Sequence, residues 1–131
     1  MVLLKNNFQV IALEEDIFVF TWLDTSVYMK EEDYTECMEN YAKLVAVHKP
    51  SGLLADNSNF AFPISPKLQD WTNETVFPVG WKSGVRRVGM VVAPELIPQL
   101  SVEQAMETRK GQQFVTRYFD NKAEAYKWLV S

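Results

Sequence analysis

Four sets of residues in this chain have the chemistry of a functional site. They are a carboxylate closing an apolar run (Asp56), a second one closing another (Asp120), the thiol and imidazole of Cys37 and His48, and the serines Ser58 and Ser65. Cys37 and His48 would have to meet within hydrogen-bond distance to work as nucleophile and base. They lie on one helical stripe eleven residues apart, on the order of 16 Å at about 1.5 Å per residue. That excludes the pair, and both fit packing roles on an apolar helix face. One His and one Cys also leave no zinc site of these ligand types within one chain. Gly80 and Gly84 flank Trp81-Lys82-Ser83 without the spacing of a phosphate-binding loop. No catalytic residue, metal or cofactor is therefore assigned.

Asp56 at a strand end invites comparison with the phospho-acceptor of a receiver domain. That chemistry needs an acidic pair after the first strand to hold magnesium. It also needs a Thr or Ser after the fourth strand and a Lys after the fifth. Here Glu14, Glu15 and Asp16 fall in a hairpin turn, Ala93 ends the fourth strand and Asp120 the fifth, so the pattern fails. The simpler role for Asp56 is to accept backbone hydrogen bonds in the loop 57–59. An enzyme using Asp56 and Asp120 together would require both in one cleft with a strongly shifted pKa.

The elements that position these residues are legible from periodicity. Residues 8–13 and 17–23 are β-branched and aromatic around a polar break at 14–16, which predicts a β-hairpin. From Lys30 to about His48, Tyr34, Cys37, Met38, Tyr41, Leu44, Val45 and His48 recur at helical spacing. Acids crowd the first turns and His48-Lys49 the last, as the helix dipole favours. Pro50-Ser51-Gly52 ends that helix. Leu53–Asp56 reads as a short strand. Ser65-Pro66 opens the next helix as N-cap and first helical residue, with Leu68, Trp71, Thr75 and Val76 inward. Pro78, Gly80 and Gly84 are expected to break it. Residues 85–93 form the strongest strand, expected at the sheet centre. Ser101–Gln104 is a capping box, 114–119 the last strand, and Asn121–Glu124 caps a final helix with Ala125, Trp128 and Leu129 inward.

The order β-β-α-β-α-β-α-β-α implies parallel strands with right-handed crossovers. The expected fold is α/β: a mixed, mostly parallel sheet of about five strands, with an N-terminal antiparallel hairpin and covering helices, in one domain over 1–131. A chain of 131 residues, 47% of them hydrophobic, can bury one core. The net charge of −4 argues against a nucleic-acid binder. Residues 1–66 carry ten acids against four bases, and 67–131 seven against nine; a solvated acidic helix accounts for most of that split. No run approaches the roughly 18 apolar residues of a membrane span, no signal-peptide pattern opens the chain, and a single cysteine fits a reducing cytoplasm.

Val85-Arg86-Arg87-Val88-Gly89-Met90-Val91-Val92, then Phe114 to Asp120, then Glu124-Ala125 and Trp128-Leu129, resemble the bacterial SpoIIAA-like family of STAS-type domains. The resemblance runs over roughly residues 8–130, at core positions. In the anti-sigma antagonists of that fold, a strand ending in Asp leads to an Asp-Ser-Ser-Gly stretch whose phosphorylated serine switches partner binding. Laid without gaps from Asp56, that stretch falls on Ile64-Ser65-Pro66-Lys67. Only Ser65 is retained, and Pro66 takes the usual acceptor position. Ser65 then reads as a helix cap before it reads as a phosphoacceptor.

Open α/β sheets place sites beyond the carboxyl ends of their parallel strands. That criterion selects Asp56, Asn57, Ser58, Ser65 and Asp120. Trp81 joins them as one of a group of aromatics in or beside loops (Phe60, Phe62, Phe77), which either line a pocket or plug the sheet ends. Of Arg86 and Arg87, one must face a covering helix, which suggests an intramolecular ion pair. The resemblance implies a non-enzymatic regulatory or interaction module, working through the loop 56–65 and an unknown protein partner. A small apolar ligand or lipid is the alternative, and a homodimer is open to the chain if an edge strand is exposed.

Overall fold

A computed structural model describes residues 1–101 and 115–131. Six strands form one sheet in sequence order: β1 (Val2–Lys5), β2 (Gln9–Glu14), β3 (Ile17–Trp22), β4 (Gly52–Asp56), β5 (Arg87–Val91) and β6 (Val115–Phe119). β1, β2 and β3 are antiparallel neighbours, whereas β3 to β6 run parallel. The mixed α/β sheet is thus as expected, with one strand more. The extra strand is β1, a four-residue edge strand whose register slips between Val2 and Leu4. Such a short, irregular piece carries little alternation to read. The strand at 85–93 is also not central: β5 lies next to β6, and β3 and β4 occupy the middle.

Alternation along β3 divides the core into two layers. Phe18, Phe20 and Trp22 point to one side, with Ile11 and Leu53. Ile17 and Val19 point to the other, with Leu54 and Val91. The first layer is covered by α1 (Glu31–His48), whose Tyr34, Cys37, Tyr41 and Val45 are buried. The Asp33 carboxylate accepts the Lys30 backbone N–H at 2.9 Å, so the acidic first turn closes its own start. At the other end Lys49 adopts φ 48°, ψ 56° while its N–H bonds the Val45 carbonyl. This left-handed cap suits glycine, and a Cβ there costs about 1 kcal/mol or more. Lys49→Gly is therefore expected to stabilise the protein by about 1 kcal/mol, read as a higher urea midpoint at unchanged slope.

The segment 66–83 does not break at Pro78 or Gly80. α2 (Pro66–Trp71) passes into one π turn (Thr72–Val76) and on into α3 (Phe77–Ser83), which ends at Gly84 with φ 112°. The cause is Pro78 itself. A proline ring clashes with the carbonyl four residues back and supplies no N–H, and the wider turn, in which the Phe77 N–H bonds the Thr72 carbonyl, absorbs the misfit. Thr75, expected to face inward, is exposed, and Thr72, one turn after buried Leu68, is buried instead.

The second layer is covered by α4 (Lys122–Val130), capped by the Asn121 side chain accepting from the Glu124 N–H at 2.9 Å. Ala125 and Leu129 are buried against β3, β4 and β5, with Trp128 half-buried. A Cβ at Gly89 would stand 3.4 Å from the Ala125 methyl, so α4 sits close to the sheet. The chain is helical at 97–101. The expected capping box Ser101–Gln104 and strand start at Phe114 extend outside the described residues. Among the described residues no helix is long and apolar enough to cross a membrane.

Candidate functional site

β4 delivers Asp56 to the carboxyl end of the parallel strands on the α4 side, where it is 7% exposed. Its Oδ1 accepts from the Ser58 N–H at 3.1 Å and from the Ser58 hydroxyl at 2.6 Å. Its Oδ2 lies 3.5 Å from the Lys122 ammonium. Lys122 also donates to the Thr21 hydroxyl at 3.1 Å, which links the ends of β3 and β4 to the start of α4. The Asn57 N–H bonds the Val91 carbonyl at 2.9 Å. Asp56, Asn57 and Ser58 therefore come together as a self-satisfied turn. The loop role expected for Asp56 is present, and Thr21 and Lys122 are its unforeseen partners. A lysine one hundred and one residues from Thr21 leaves no local signal of that contact.

The other candidates are apart from this cluster. Asp120 follows β6, two strands away or about 10 Å along the sheet; it is exposed and accepts from the Asn121 side chain at 2.9 Å. Among the described residues no group of three or more His, Cys, Asp or Glu is placed to hold a metal. Ser65 lies on the α1 side, where its Oγ accepts the Leu68 N–H at 3.2 Å as N-cap of α2. Trp81 is at the opposite end of the sheet, under the Arg86 guanidinium at 3.7 Å. Arg86 and Arg87 make no ion pair among the described residues, contrary to expectation. Arg86 stacks on Trp81 and bonds its carbonyl at 2.8 Å, while Arg87 bonds the Trp128 carbonyl at 3.0 Å. Carbonyls at helix ends satisfy a guanidinium as a carboxylate would.

Phe60 and Phe62 plug the sheet end. Phe60 packs on Trp22 at 4.8 Å between centroids, and Tyr34 stacks between Trp22 and Phe62. The Tyr34 hydroxyl shares a hydrogen bond of 2.8 Å with Thr72, and burial raises its pKa. Two polar groups that sequence reasoning missed hold this region. Ser26, fully buried, donates to the Asn59 carbonyl at 3.2 Å and accepts from the Ala61 N–H at 2.9 Å. It pins the 3-10 turn Asp24–Tyr28 to the loop after β4. Gln9, also fully buried, accepts from Asn6 and Asn40 and donates to the Cys37 carbonyl.

Cys37 is core, as its stripe position implied. Burial pushes its thiol up to about 11, with the Asn6 hydrogen bond opposing. A thiol raised from 9.0 in this way favours folding below about pH 9, and that contribution disappears as pH rises through about 11. Native protein at pH 8 is therefore expected to resist iodoacetamide at least tenfold relative to urea-unfolded protein, followed by intact mass.

On the α4 side an open groove of about 550 Å³ is lined by Glu14, Val19, Leu54, Lys122, Ala123, Tyr126 and Lys127. On the opposite side of the sheet, the 3-10 turn displays Tyr28 and Val27, 78% and 52% exposed. Compared with models of known families, with characterised proteins and with solved structures, the chain matches none.

Proposed function

We propose that the chain is a non-enzymatic interaction module of STAS type, recognising a protein partner at the carboxyl end of its parallel strands. The SpoIIAA-like resemblance of residues 85–92 and 114–129 supports the type. The surface consists of the loop 57–65 and the adjoining 3-10 turn. One observation carries this reading: Tyr28 is 78% exposed beside Val27 at 52%, on a turn that buried Ser26 ties to the loop at Asn59 and Ala61. An aromatic on a preorganised support is the residue type that anchors interfaces, because little conformational freedom remains to be lost on binding. Ser65 contributes as a cap to the shape of the loop's far end, and its hydroxyl is engaged there.

The test is quantitative affinity capture from extracts of the source cells, with the whole chain as bait and three forms compared. Wild type and Val47→Ser should recover the same partner, and Tyr28→Ser should lose it at least tenfold. Val47 is also exposed, at 74%, but sits in the last turn of α1, at the opposite end of the sheet. Recovery that never depends on Tyr28 would overturn the reading. The groove of about 550 Å³ with its apolar floor favours a second reading, a small apolar ligand. Native mass spectrometry separates the two, since retained mass lost on denaturation would favour the ligand.

A further inference from the structure

Among the described residues the most exposed aromatic is Tyr28, at 78%, with Val27 beside it at 52%. Its ring has no aromatic, cationic or hydrogen-bonding neighbour among those residues. The support beneath is fixed. Met29 is buried, and Thr25 and Ser26 tie the turn to Asn7, Asn59 and Ala61. A ring held this way presents a free π face, whose negative quadrupole attracts cations.

The charge around that ring is predominantly negative. Asp24 opens the 3-10 turn, and Glu31 and Glu32 begin α1. All three are exposed, and among the described residues none of their carboxylates has a hydrogen bond or ion pair. Asp24 is about 8 Å from Tyr28 at the 3-10 rise of about 2 Å per residue, and Glu31 at most about 10 Å along the chain. The adjoining elements add Lys5, Lys30 and Lys67, and also Asp33, Glu36, Asp70 and Glu74, so carboxylates outnumber ammonium groups seven to three. The loop 57–65 carries no charge, and the dipole of α1 offsets only about half of one. Further along the same end of the sheet, Asp56 matches Lys122, while Glu95 and Asp120 add only acid. Glu14, Glu15 and Asp16 lie at the opposite end of the strands, as do residues 1 and 131, so the balance does not involve the chain's ends. Residues 102–114 bring two acids and two bases.

Taking this turn as the binding face proposed above, we infer that its protein partner presents a basic segment. An arginine lies on the Tyr28 ring, an aliphatic side chain covers Val27, and further basic side chains reach Asp24, Glu31 and Glu32. Two independent features ask for the same partner, the free π face and the unpaired carboxylates around it. Arginine answers both at once, because its planar guanidinium stacks on a ring while its N–H groups still reach carboxylates. The chain holds one such stack within itself, Arg86 over Trp81 at 3.7 Å. Acidic segments are repelled from this face, which gives it selectivity that an apolar patch alone lacks.

Two synthetic peptides of about ten residues provide the test, each with one leucine between two flanking pairs. The pairs are arginine in one peptide and citrulline, of the same shape but uncharged, in the other. Each is titrated into the isotope-labelled full chain at physiological ionic strength and followed by amide chemical shifts. The arginine peptide should bind saturably, with shifts centred on residues 24–32, and at least tenfold more tightly than the citrulline peptide. Tyr28→Ser should weaken it about threefold, the scale of one exposed cation–π contact. The triple variant Asp24→Asn, Glu31→Gln, Glu32→Gln, neutral and exposed throughout, should weaken it at least tenfold. Glu15→Gln with Asp16→Asn, at the opposite end of the strands, should leave it unchanged. Absence of saturable shifts at millimolar peptide, equal affinity for the two peptides, or wild-type binding by the triple variant would each overturn the proposal. So would self-association in sedimentation that the triple variant abolishes, because a second copy would then be the occupant. In the affinity capture the triple variant should also lose the partner. A partner that needs Tyr28 but is held equally by the triple variant overturns the basic segment and leaves the Tyr28 surface standing, whereas one indifferent to Tyr28 removes the surface itself.

Discussion

Replacing Phe18 with alanine is expected to destabilise the protein by about 3–5 kcal/mol, the cost of removing a buried phenyl ring and leaving its cavity. Phe18 is fully buried near the start of β3, a central strand of the sheet, and meets the Tyr41 ring edge-on at 5.6 Å between centroids. Its cross-strand neighbours are Leu13 of β2 and Leu53 of β4. No solvent can enter, and the close-packed neighbours are held by two strands and a helix, so collapse around the gap is limited. Against a total stability of about 5–15 kcal/mol for a domain of this kind, that loss is a large fraction. Urea unfolding followed by tryptophan fluorescence measures it. Val19→Ala, on the other side of the same strand and half-buried, should lose less than half as much. Equal losses at 18 and 19 would mean that the two layers do not differ as described.

Asp56→Ala is expected to lose about 2–3 kcal/mol, because it removes a charge-assisted acceptor used by two donors of Ser58. The Ser58 N–H and hydroxyl lose their partner at the buried end of β4, and Lys122 loses its counter-ion. Asp56→Asn separates these effects. Its amide oxygen still accepts from Ser58, and only the attraction to Lys122 disappears. That lysine side chain is 49% exposed, so water screens the pair and the loss should stay below about 1 kcal/mol. Thermal unfolding of the two variants gives the comparison, and amide exchange at 57–59 should rise in the alanine variant alone. A larger effect for asparagine than for alanine would show that the ion pair, and not the turn, holds this corner.

Most of the fold was legible in the residues, and the reasons are local. α1 announced itself through Tyr34, Cys37, Tyr41 and Val45 at helical spacing. Ser65-Pro66 and Asn121 marked two helix starts by cap chemistry, and both side chains accept the N–H three residues on. Residues 8–13 and 17–23, β-branched and aromatic around a polar break, read as the hairpin that β2 and β3 form. What escaped depends on sequence-distant partners. β1 has too few residues for a pattern and is a strand only because β2 lies beside it. Pro78 reads as a helix breaker until one π turn takes up its ring. The arginines at 86 and 87 take helix-end carbonyls and indole rings that no charge pattern foretells.

The candidate site divides along the same line. Asp56, Asn57 and Ser58 were found by position, since a parallel strand followed by a polar turn is readable from the chain. Their partners Thr21 and Lys122 were not, because only the sheet brings β3, β4 and α4 to one corner. Ser26 and Gln9 gave no signal either: a serine in a short turn and a glutamine on a strand are ordinary surface residues until folding buries them, and burial then obliges each to find hydrogen bonds. The sequence by itself determined the strands β2 to β6 and their order, the caps at Ser65 and Asn121 and the apolar face of α1, all properties of residues within a few positions of each other. Tertiary structure alone decided which polar groups are engaged, which aromatics are core and which, like Tyr28, are displayed. It also decided that, among the described residues, Val10, Ala12 and Val19 are only half-buried on the α4 side, because covering a face depends on where a helix many residues away comes to rest.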